Sequence, residues 1–499
     1  MAREERLEAF SAWTERLSAL RTAMTVMDLD ESGAPEKGAA FRGRQRGILA
    51  GEYRRMLHDP AFFDLLEELR REELPGDTAR CVELYDEQLR KEGSVPPEAY
   101  TALEEALFRS RKAWLRAKQK QDFSQFAPVL QQVVDCERSI AAAWQGGGSV
   151  YDKLLEDNQP GWNQQRYDRF FATVKEGVLP LLAEIQAAPP VREDFLYHDC
   201  PIPLQRQGME GIRTYLGFDP GWGRLSESEH PLTSVVCAGD VRFTTKYRAK
   251  DVVQAVFSTV HESGHAWHAH NIDPAYDGGI LAVSTSAGLC ESQSRLCENH
   301  LGRSLPFWQV HFPAYQRLFP RQLAGVTPEE FYRGVNRVKP TLIRTEADEV
   351  TYPLHILIRY ELEQQMMDGG LDVSQLEVAW NEKYEEYLGV VPTHPAEGVL
   401  QDMHWAWGYF GYFPTYALGS AMAAQFYAAM ERELNVEQLL LEGKYQTLME
   451  WLGSHIHRYG NRYQEDELLC QVTGETLNPG YYLQWLHQKY RAIYQLGDR

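Results

Sequence analysis

The chain has 499 residues, 43% hydrophobic and 24% charged, the composition of an ordinary globular protein. Its 51 Lys and Arg against 71 Asp and Glu leave a net charge of −20. This argues against a general nucleic-acid binder and against docking on an anionic membrane surface. No run of about 18 apolar residues suggests a membrane span. The N-terminus, MAREERLEAFSAW, is charged and amphipathic and lacks a signal-peptide core. Seven cysteines, widely spaced and without a CxxC, read as free thiols in a reducing cytoplasm.

Helical signals dominate from the start. Leu7, Phe10, Trp13, Leu17 and Leu20 step by three or four, and Leu103, Leu107 and Trp114 repeat the habit, each an apolar stripe on an amphipathic helix. Loops are signalled by Gly146-Gly147-Gly148, Pro160-Gly161, Pro189-Pro190, and the Gly/Pro clusters at 217–223 and 274–279. The clearest strand is 234–245, where Val241 and Phe243 alternate with Asp240, Arg242 and Thr244. Period two puts those three polar residues on one face, where they can line a cleft. The expected fold is mostly α-helical with one small sheet. Residues 1–499 read as one unit, with a helical N-terminal lobe over about 1–140 and a catalytic region over about 141–499.

The most informative segment is Thr259-Val-His261-Glu262-Ser-Gly-His265. On a helix, positions i and i+4 share a face, so His261 and His265 can hold one metal ion together. Glu262 points about 100° away, where it can take a proton from water on that ion. A metzincin would need His at position 271, but Asn271 stands there. The other usual third ligand is a Glu on a following helix, and Glu291 fits. His268, one turn past His265, is the competing ligand.

At this point the chain resembles the M32 family of metallocarboxypeptidases. His230-Pro231-Leu232 resembles HPF, and Asp240-Val-Arg242-Phe-Thr244 fits DxRxT. His261 to His265 fits HExxH, and Cys290-Glu291-Ser292-Gln293 resembles HESQ. Ile343-Arg344 through Ala347-Asp348 fits IRxxAD. Gly398 through Gln401-Asp402 to His404-Trp405 fits GxxQDxHW, with Gly411-Tyr412-Phe-Pro-Thr-Tyr416 beyond. Two departures stand out: Leu232 replaces Phe, and Cys290 replaces His. Cys290, one step from Glu291, should turn away from the metal and act behind a ligand rather than as one.

The resemblance implies a helical fold like that of neurolysin and angiotensin-converting enzyme, with two lobes flanking a long groove. It also implies zinc or cobalt as metal, peptide substrates cut with broad C-terminal specificity, and a homodimer. His261, His265 and Glu291 would bind the metal and Glu262 would be the general base. His404 and Tyr416 would donate hydrogen bonds to the oxyanion. His230, Asp240, Arg242, Thr244 and Arg344 are the candidates for substrate binding. Arg344 is the first choice for the terminal carboxylate, oriented by Asp348 four residues on. The rival readings are an endo-oligopeptidase or dipeptidyl carboxypeptidase on the same scaffold, and a non-catalytic peptide-binding protein.

Overall fold

The N-terminal stripe forms one face of α1 (Arg3–Glu31) in a computed structural model that describes residues 2–31 and 34–497. Phe10 and Leu17 are buried there, and Trp13 stacks on Phe62 with ring centroids 5.3 Å apart. These residues belong to an apolar cluster that runs from Phe10 to Leu89. The helices at Pro97–Lys120 and Ala127–Ala143 pack instead into the main core. The first apolar cluster therefore ends at Leu89, and the main one takes up the chain from Ala106. Arg21 of α1 donates to the carbonyls of Gly278 and Gly279 at 2.5 and 2.7 Å, tying this lobe to a loop beside the metal helix.

The strand signal over 234–245 resolves into a hairpin. β1 (Gly223–Glu227), β2 (Thr233–Cys237) and β3 (Asp240–Thr245) form a sheet in the order β1-β3-β2. β1 runs parallel to β3 and β2 antiparallel to it, so one edge of β2 is unpaired within the sheet. Val241 and Phe243 are buried against Ala266 and Ala269 of α2 (Gln254–His270). The alternation in β3 thus presses one face of the sheet onto the metal helix.

Three more helices complete the site: α3 (Ala287–Arg295), α4 (Tyr352–Met367) and α5 (Phe413–Glu431). Ser286 caps α3 by accepting from the Leu289 amide. Beyond Arg295 the helix widens into a π-helical turn over Leu296–Gly302. Two glycines set the spacing. A Cβ on Gly264 of α2 would stand 2.5 Å from the Gln293 carbonyl oxygen and 2.7 Å from Ser294 Cα. A Cβ on Gly419 of α5 would stand 2.8 Å from Cβ and Cγ of Glu291. Any side chain at either position would push α3 away. Among the described residues, no helix is long and apolar enough to cross a membrane.

Candidate metal centre and cleft

α2 presents His261 and His265 one turn apart, and α3 brings Glu291 up to both. Glu291 Oε2 lies 3.9 Å from His261 Nε2 and 3.5 Å from His265 Nε2. Ligand atoms about 2.0–2.2 Å from an ion at tetrahedral angles stand roughly 3.3 Å apart, so the spacing fits one metal. The donor set, two imidazoles and a carboxylate, suits zinc and other divalent first-row ions. Among the described residues this is the one such group of three. His268 is not part of it; its ring lies against His457, centroids 4.9 Å apart.

Each of the three candidate ligands is held from behind. His261 Nδ1 faces Glu298 Oε2 at 3.0 Å, which leaves Nε2 free for the metal. Glu298 also accepts from Arg303 Nη2 at 2.9 Å and Nε at 3.2 Å, and from Arg295 Nη1 at 3.5 Å. Burial works against its charge, but Arg303, His261 and Arg295 outweigh that and hold the carboxyl well below the usual carboxylate range. Glu291 is depressed in the same way, burial being overcome by Arg295 and the two histidines. Arg295 Nε donates to its Oε1 at 2.8 Å. Behind His265 stands Cys290, with Sγ 3.5 Å from Nδ1. The thiol is thus on the far side of the ring from the metal-facing nitrogen. Burial opposes its ionisation, but His265 and His268 bring it down to about 6.

Glu262 is 7% exposed and lines a cleft of about 1150 Å³ together with all three ligands. Thr233 at the start of β2 donates to Glu262 Oε2 at 2.6 Å, leaving the other oxygen for a water. The walls include His230, Leu232, Val235, Arg344 and Tyr416.

These features can be set beside known proteins. The family model described as Carboxypeptidase Taq (M32) metallopeptidase matches residues 9–490. The chain belongs to the M32 family, and it is a metal-dependent carboxypeptidase. It is 36% identical to Carboxypeptidase 1 of Bacillus subtilis over 487 residues, 97% of each chain. It is 35% identical to Thermostable carboxypeptidase 1 of Thermus thermophilus, covering 92% of this chain and 93% of that one. The crystal structure of the M32 carboxypeptidase from Deinococcus radiodurans matches with a TM-score of 0.94 at 33% identity, over 99% of this chain and all of the other. The mostly helical fold with its small sheet is that of the family.

The remaining M32 motifs fall unevenly around the cleft. Tyr416 and Arg344 reach it; His404 does not, and lies behind Tyr416 with Nε2 3.2 Å from the hydroxyl. Arg344 is 7% exposed and turns its fork onto Asp402, with Nε 3.1 Å and Nη2 3.0 Å from Oδ1. Arg359 Nε donates to the same carboxylate at 2.7 Å. Two guanidiniums on one carboxylate leave a surplus positive charge here, and Arg344 Nη1 stands 3.4 Å from the Tyr352 hydroxyl.

Asp348 does not orient Arg344. The segment is a single 3-10 turn over Arg344–Glu346, and Ala347 is extended, so i and i+4 do not share a face. Asp348 instead accepts from Thr351 Oγ1 and the Lys339, Val350 and Thr351 amides. The polar face of β3 is likewise not part of the cleft lining. Its opposite face packs on α2, so Asp240, Arg242 and Thr244 point away from the helix. Arg242 pairs with Asp240 at 2.7 Å and Thr244 accepts from the Leu232 amide at 3.0 Å. The cleft takes its strand residues, Thr233 and Val235, from β2. Sequence reasoning missed Thr233, Glu298 and Asp402. Glu298 carried a signal: it is seven residues beyond Glu291, with Arg295 between them on the same helical face.

Proposed function

We propose that this carboxypeptidase is a zinc enzyme, able to use cobalt, that releases C-terminal residues from peptides with broad specificity. The observation that carries the reading is one cleft holding a His-His-Glu donor set, a carboxylate beside it, a tyrosine hydroxyl and an arginine. A divalent ion held by His261, His265 and Glu291 would supply Lewis acidity, polarising the peptide carbonyl and acidifying water. Glu262 takes the proton of the attacking water through its free oxygen and hands it to the leaving amine. Thr233 keeps that carboxylate from rotating. Tyr416 donates to the carbonyl oxygen as negative charge develops on it. Arg344, with the surplus charge of its pair with Arg359, attracts the substrate's terminal carboxylate. His230 serves the substrate from the rim. The unpaired edge of β2 can hydrogen-bond an extended peptide backbone. The family resemblance supports a homodimer, and the seven free cysteines support a reducing, cytoplasmic location.

The test compares a free-acid peptide with its C-terminal amide on the wild type and on Arg344→Ala. The wild type should cut the acid far faster, and the variant should shrink that ratio by harming the acid. Equal rates on acid and amide by the wild type would return the endo-oligopeptidase. Glu262→Gln should keep the metal and lose roughly 10²–10⁴-fold in kcat.

A further inference from the structure

His404 is a neutral ring with one nitrogen left over. It is 9% exposed, and Phe413, with ring centroid 4.2 Å away, and Tyr412, at 5.9 Å, pack around it. Burial, reinforced by Arg344, pushes its pKa down to about 3, so it carries a single proton at neutral pH. Nε2 faces the Tyr416 hydroxyl at 3.2 Å. Nδ1 is buried and has no hydrogen-bond partner. A buried N–H without an acceptor is among the rarest defects in folded proteins, whereas a lone pair without a donor is better tolerated. The proton therefore belongs on Nε2. From there it is donated to the tyrosine oxygen, and the tyrosine's own proton is left to point elsewhere.

We propose that His404 is a positioning residue which, by donating from Nε2 to Tyr416, directs the tyrosine hydroxyl proton into the cleft toward the substrate carbonyl. This rests on the reading of Tyr416 as the oxyanion donor. With the opposite tautomer, Nε2 would accept the tyrosine proton and withdraw it from the reaction. His404 contributes only through Tyr416, so the two residues cannot count twice.

The experiment measures kcat and KM for the metal-loaded wild type, Tyr416→Phe, His404→Gln, His404→Asn and the double variant His404→Asn/Tyr416→Phe. The Gln amide nitrogen reaches about as far as Nε2; that of Asn stops near Nδ1. Tyr416→Phe should lose roughly 10²–10³-fold in kcat with little change in KM. His404→Asn should lose at least about tenfold in kcat, and His404→Gln should recover most of that loss. The double variant should be no slower than Tyr416→Phe alone, because residues acting through one another are not additive. If the two losses multiply, or if Gln is no better than Asn, His404 acts independently of Tyr416 and the proposal fails alone. A Tyr416→Phe enzyme with wild-type kcat would overturn the oxyanion role itself. Should His404→Asn fail to fold, His404→Ala with and without Tyr416→Phe gives the same cycle, with His404→Gln still the variant that should recover.

Discussion

His261 and His265 sit one turn apart on the same helix, rings nearly perpendicular with centroids 5.2 Å apart, yet they are held by unlike partners. His261 leans on Glu298, a carboxylate clamped by Arg303 and Arg295. Arg303 is itself stacked over Phe257 at 3.8 Å. His265 leans on the Cys290 thiol at 3.5 Å. Glu298 offers an oxygen acceptor at 3.0 Å, whereas sulfur is a weak acceptor and stands 3.5 Å away. The first histidine is thus fixed in tautomer and angle before any metal arrives. The second depends more on the helix that carries it. Two positions that look equivalent in HExxH are unequal in what stands behind them.

Removing what the two histidines share should have the largest effect. Glu291→Ala should weaken metal binding by well over the roughly 100-fold that outer partners contribute, while thermal unfolding of the apo protein changes little. Metal content unchanged in that variant, with the site emptied by His268→Ala, would make His268 the third ligand. Next comes the stronger support. Glu298→Gln removes the charged acceptor and should raise the metal Kd by about 10–100-fold, read by competition with a chelator. The weaker support should matter least: Cys290→Ser should change Kd by less than about tenfold, below the usual range for such partners. Equal losses from Glu298→Gln and Cys290→Ser would break the comparison. Cys290→His, which restores the family residue, should hold metal at least as tightly as the wild type. Thiolate-to-metal absorption in a cobalt-loaded wild type would instead make Cys290 a ligand.

The His-His-Glu cluster was legible because it obeys regular helix geometry: His261 and His265 are i and i+4, and Glu291 lies inside a capped helix. Glu298 offered only its seven-residue spacing from Glu291, a weak signal because it lies in a π turn, whose register a 3.6-residue period follows poorly. Arg344 and Asp348 were misread as a helical pair for the opposite reason, since their segment holds only one 3-10 turn. The alternation in β3 gave the right faces but not the right neighbour. Periodicity tells which residues share a side, and only the packing of β2 at the sheet edge tells which strand borders the cleft. Asp402, the carboxylate beneath both arginines, comes from 58 residues beyond Arg344, a distance over which sequence patterns carry no geometry.

Gly264 and Gly419 reach beyond this protein. Both leave backbone bare where α2 and α5 close on the ligand helix, so the ligands are set by clearance as much as by chemistry. A designer who copied only the two histidines and the glutamate onto another trio of helices would copy the donors without the fit. Ordinary side chains at those two places would hold the helices apart, and the glutamate would fall short of the metal. The portable unit is five residues, and two of them carry no functional group at all.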